Sequence, residues 1–104
     1  MNAFAAAIDV MFEDPNMAVD ALYRSGGEGP GMLVRAIRKS PDQTANFGDG
    51  RFVTDTMTLD LRVAEAPGLA KGDTIEIDGD VFELRSEPVR DRERLVWSAE
   101  ARPL

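Results

Sequence analysis

The chain of 104 residues contains no cysteine and no histidine. The first absence excludes a disulfide framework, a thiolate zinc site and a thiol nucleophile. The second removes the commonest general base and the commonest metal ligand together. Positive charge is scarce: 12 Lys and Arg stand against 19 Asp and Glu, a formal charge of −7. No basic stripe of the kind that grips phosphate is evident, and an acidic balance repels nucleic acid. No apolar run reaches transmembrane length. The N-terminus lacks the basic and apolar regions of a secretory signal. These absences predict a protein without cofactor or membrane attachment, made and kept in a cytoplasm until it joins something larger. The length predicts a single domain over residues 1–104.

What is present is alternation. In the stretch Lys71 to Pro88, Ile75 and Ile77 alternate with Glu76 and Asp78, and Phe82 and Leu84 with Glu83 and Arg85. Period two is the pattern of strands with one buried face. Asp78-Gly79 between the runs signals a tight primed turn, and Gly72-Asp73 marks another turn before the first run. The same reasoning predicts strands over Ala18 to Tyr23, Met32 to Arg38, Thr56 to Ala64 and Leu95 to Ala101. In the third of these, Met57, Leu59, Leu61 and Val63 are expected inward, and Thr58, Asp60, Arg62 and Ala64 outward. Arg90 to Arg94 reads as a solvated hairpin tip of nearly cancelling charge. Asn2 to Phe12, extending to about residue 13, is the one helix candidate. Asn2 is its expected cap, and Phe4, Ile8, Met11 and Phe12 form one core-facing stripe before Pro15 ends it. The predicted fold is mainly β: a small antiparallel barrel or sandwich of about six strands, with the short N-terminal α-helix covering an open end. Ile75, Ile77, Phe82, Leu84, Leu59, Leu61 and Trp97 are the predicted core.

Candidate chemistry is sparse. Glu76, Asp78 and Asp80 beside Gly79 faintly resemble a calcium loop, but the spacing fails the EF-hand pattern and the acids read as a solvent face. Asp42, Asp49 and Asp55 are scattered, and nothing places two of them in one pocket. The glycines of Ser25 to Gly31 lead into a strand without the Lys-Ser or Lys-Thr of a phosphate loop, so they read as a flexible strand connection. No catalytic, metal or cofactor residue is assigned. The candidate site is instead the polar connection from Lys39 to Thr54, longer than two strands of a small barrel need. It is expected to be mobile in the free protein and to fold on a partner, with Phe47 and Phe52 as apolar anchors and Arg51, Asp42 and Asp49 as polar contacts.

Leu61 to Ala99 carries an extended strand, the Lys71-Gly72-Asp73-Thr74 turn, a hairpin with Gly79 near its tip, Phe82 in the returning strand, a Glu87-Pro88 strand end and a last strand with Leu95 and Trp97. This half resembles the head–tail joining (tail-attachment) proteins of long-tailed bacteriophages, of the lambda neck type. The N-terminal half matches in layout, with a helix beginning near Phe4. Similar proteins occur in prophages and gene transfer agents. The resemblance implies a virion protein without enzymatic activity, a β-barrel assembled as a homo-hexameric ring below the portal complex. Such a ring closes the filled head, meets portal or adaptor proteins on one side and tail terminator or tail tube on the other, and encloses DNA without reading its sequence. An acidic lumen suits that role, since phosphates slide past it without sticking. Six copies at −7 each repel one another, which predicts a monomer in dilute solution that forms a ring only on a docking surface. The alternative from the residues alone is a small β-barrel protein-binding module in another complex. An enzyme working through carboxylates comes last.

Overall fold

A computed structural model of the chain describes residues 3–39 and 57–104. These carry a helix, α1 (Ala3–Glu13), and seven strands: β1 (Val19–Arg24), β2 (Met32–Lys39), β3 (Met57–Arg62), β4 (Thr74–Ile77), β5 (Asp80–Leu84), β6 (Val89–Arg90) and β7 (Val96–Pro103). All pairings are antiparallel. The order β3-β2-β1-β4-β5-β7 closes on itself through a β3–β7 pairing, giving a six-stranded barrel. Closure leaves no free sheet edge along these strands. Strand β6 is the extra one. It takes the N-terminal part of one β7 edge, with Val89 opposite Ser98, while β5 takes the C-terminal part, with Leu84 opposite Ala101.

The period-two reading holds strand by strand. Val34 and Ala36, Leu59 and Leu61, Ile75 and Ile77, Phe82 and Leu84, and Trp97, Ala99 and Ala101 fill the barrel. Every predicted core residue is buried. Turn chemistry sets the β4–β5 register. Asp78 and Gly79 both have positive φ, 52° and 86°, as a type I′ turn requires. The loop between β3 and β4 adds Ala66 and Leu69 to the core. Trp97 Nε1 donates to the carbonyl of Ala66 at 2.7 Å, so the indole is held without an unpaired buried donor.

Two expectations need correction. The helix does not cover an open end. Val34 and Ala36 point into the barrel, so Ile37 between them and Arg38 points out, and Ile37 is what α1 packs on. Phe12, Ala18 and Ile37 form a second cluster with Ile8 and Val96, apart from the main core. The helix therefore lies on the outer wall. That wall is small, and of the predicted stripe Phe12 and Ile8 are the residues in its cluster. Phe12 is fully buried and Ile8 half-buried, whereas Phe4 and Met11 are 60% and 38% exposed. Arg90 is the second correction: it pairs with Trp97 in β6 instead of standing in the solvated tip, and its guanidinium lies 5.3 Å from the indole centroid. The expected cap Asn2 lies outside the described residues.

Candidate functional site

Two polar arrangements fix the described surface. The first is centred on Asp73, the acid of the Lys-Gly-Asp-Thr turn. It is buried, and its carboxylate accepts from the Tyr23 hydroxyl at 2.9 Å, the Gly26 amide at 2.8 Å and the Ala70 amide at 2.8 Å. One side chain thus ties the end of β1, the glycine-rich connection and the turn before β4 together. The connection expected to be flexible is pinned at both ends, since Arg24 Nε also donates to the Gly29 carbonyl at 3.1 Å. Gly26 adopts φ 65°, which glycine reaches without strain, and this presents its amide to Asp73. Burial, together with the bond to Asp73, raises the Tyr23 pKa above the ordinary 10.0.

The second arrangement clamps α1 to the wall. Arg35 of β2 donates from Nε to the Phe12 carbonyl at 2.8 Å and from Nη2 to the Ala18 carbonyl at 3.1 Å, and pairs with Asp20 at 2.8 Å. A cation at the Phe12 carbonyl, in the last turn of the helix, is favourable. Arg62 of β3 pairs with Glu65 and Asp9, both at 3.1 Å, and its guanidinium lies 5.4 Å from the Phe12 ring centroid. Arg62 was expected on the solvent side of β3. It does point outward, but α1 covers it. Asp60 beside it was also expected outward and is buried, accepting from the Ser98 hydroxyl at 2.9 Å and pairing with Lys39 Nζ at 2.8 Å.

With α1 clamped by Phe12 and Ile8, the opposite face of the helix is left in solvent. Ala6, Ala7, Val10 and Met11 are all exposed, Val10 by 69%, and no charged residue interrupts them. The acidic side chains of the helix, Asp9 and Glu13, lie on the Arg62 flank instead.

The acids weighed in the sequence do not converge. Glu76 pairs with Arg24 at 2.8 Å, Asp78 sits in the β4–β5 turn and Asp80 begins β5. Among the described residues no group of three or more acids is placed to hold a metal ion. Hollows lined by described residues, of about 230, 310, 330 and 550 Å³, are open to solvent. Phe47, Arg51, Phe52, Asp42 and Asp49, with Asp55, lie outside the described residues. Sequence reasoning missed Arg35, Arg62 and Asp73, because each also bonds to groups far off in the chain: Phe12 and Ala18 for Arg35, Asp9 for Arg62, and Tyr23 and Gly26 for Asp73. Only Asp73 carried a signal, as the acid of a turn.

No curated protein matches the chain. The family described as Phage Head-Tail Attachment protein matches residues 1–101, which takes in α1 and the entire barrel up to the last residues of β7. The match runs over the helix and nearly the whole barrel, and the chain belongs to the phage head–tail attachment protein family.

Proposed function

We propose that the protein is a non-catalytic neck component that forms a homo-hexameric ring below the portal complex. There it closes the DNA-filled head and provides the surface on which the tail is received. Its partners are portal or adaptor proteins on the head side and tail terminator or tail tube protein on the other. It is made in the host cytoplasm and ends in the virion. The DNA passes through the ring without sequence-specific contact, in keeping with a chain of net charge −7.

The observation that carries this reading beyond the family is the rigid apolar face of α1. The barrel core is complete without Ala6, Ala7, Val10 and Met11. An apolar face of that kind on a monomer marks a contact surface more often than chance exposure. The segment from Lys39 to Thr54, with Phe47, Arg51, Phe52, Asp42 and Asp49, is proposed on sequence grounds as a second partner-binding element. The test is a complementation assay in which Ser40 to Gly50 is replaced by a short Gly-Ser linker and, separately, Val10→Glu is introduced. The reading expects both variants to fold, and filled heads to accumulate without tails or to leak DNA. Normal yields of joined particles with both variants would overturn the assignment of these surfaces.

A further inference from the structure

The outer wall around β1 carries a feature that packing of α1 does not use. Leu22 and Leu33 are direct cross-strand partners on β1 and β2, and Leu22 is also opposite Glu76 on β4. Leu33 is 64% exposed. The two leucines floor an open hollow of about 230 Å³ whose other lining includes Asp20, Glu76 and Asp78. Asp20 and Glu76 are bonded to Arg35 and Arg24, yet the Asp20 side chain remains 69% exposed. Asp78 has no ion-pair partner among the described residues. The hollow thus offers an aliphatic floor with carboxylates on its rim.

The matching chemistry stands on the far side of the same chain. Val89 is 66% exposed at the start of β6, and the turn from Asp91 to Arg94 follows it. Asp91 is turned inward: its Oδ1 accepts from the Leu95 and Val96 amides at 2.8 and 3.2 Å. Arg92 and Arg94 are exposed and make no ion pair among the described residues. Capping by Asp91 therefore leaves the tip with an aliphatic side chain and two free guanidinium groups, beside the single carboxylate of Glu93. In the closed strand order β1 lies three places from β7 by either route, so the hollow and the β6–β7 tip face opposite flanks.

We infer that the Leu22–Leu33 hollow of one copy receives the Val89–Arg94 tip of a second copy of this chain. Two different, complementary patches on opposite flanks make a head-to-tail contact, the kind that propagates and closes into a ring. Arg92 and Arg94 would face the carboxylate rim, and Val89 would cover the leucine floor. Like-charged chains meet here through a tip whose three arginines outnumber its two acids, which makes the contact sensitive to salt. The inference rests on the ring proposed above and names its contacting surfaces.

The absence of native cysteine makes the contact directly testable. Both positions are exposed, so Leu33→Cys and Val89→Cys should fold, as a urea melt will verify. Residues 33 and 89 of one chain lie on opposite walls, beyond disulfide reach, so any bond between them joins two chains. Assembled particles carrying the double variant should, under mild oxidation, yield a ladder of multiples of the 11.4 kDa chain. Either single variant should yield none, and adding Arg92→Glu and Arg94→Glu should abolish the ladder. Copies of the chain per particle are counted in the same preparations. Several copies per particle without a ladder would overturn these surfaces and leave the ring standing. A single copy per particle would overturn both. A photocrosslinker at position 33 that captures a different virion protein would assign the hollow to that protein and refute the self-contact.

Discussion

Asp73→Ala should be among the most damaging polar substitutions in the protein. The change removes the acceptor for the Tyr23 hydroxyl and the Gly26 and Ala70 amides at once. Hydrogen bonds to a charged group contribute about 1.5–3 kcal/mol each, and an orphaned buried donor costs a similar amount. All three bonds are only partly buried, so water reaches some of the freed donors and the lower end applies. The expected loss is about 4–5 kcal/mol, a large share of the ~5–15 kcal/mol that holds a small domain folded. Asp73→Asn separates acceptor loss from side-chain loss. Its remaining oxygen keeps one amide bond, the Tyr23 hydroxyl can rotate to accept from the new NH2, and one amide is left facing a donor. That variant should lose about 1–2 kcal/mol. Urea unfolding followed by the fluorescence of Trp97, the single tryptophan, measures both. A loss below about 0.5 kcal/mol for Asp73→Ala, with unchanged denaturant dependence, would refute the view that this carboxylate holds β1, the glycine-rich connection and β4 together.

Phe82→Ala should cost about 3–5 kcal/mol, since the ring is buried in the barrel core; a urea melt changed by less than about 1 kcal/mol would place it elsewhere. Arg62→Met should loosen α1 while leaving the barrel folded. Its pairs with Asp9 and Glu13 are solvent-screened and contribute little, so the expected loss of about 1–2 kcal/mol comes from Glu65 and the Phe12 ring, and reads as helical signal lost before the β signal on heating. Tyr23 is the single tyrosine, so tyrosinate absorbance titrates it alone. Because its folded pKa is raised, the unfolded chain ionises first; the stability is intact below pH 10.0 and is lost as pH rises through the folded value, and Tyr23→Phe should flatten that alkaline limb.

The strands were legible because a barrel wall imposes one period on every element. Ile75 stands opposite Phe82 and Leu84 opposite Ala101, all of them buried, and Asp78-Gly79 left the register no freedom. Legibility failed where a residue's environment came from distant chain. Arg62 and Asp60 obey the outward parity of β3, yet one is roofed by α1 and the other is closed over by Lys39 and Ser98. The helix stripe misled for a related reason. Phe4, Ile8, Met11 and Phe12 have the spacing of a buried face, but the wall beneath supplies little beyond Ile37, Ala18 and Val96. Phe4 and Met11 are therefore exposed, and a hydrophobic pattern alone does not distinguish an exposed apolar residue from core.

The central claim is that this barrel is a structural element of the junction between head and tail. Cryo-electron microscopy of the purified particle tests it most directly. The account predicts a ring of copies of the β3-β2-β1-β4-β5-β7 barrel between portal and tail, with the apolar face of α1 covered by a neighbouring protein. A neck whose density is filled without this barrel, or a particle that carries the chain only elsewhere, would contradict it.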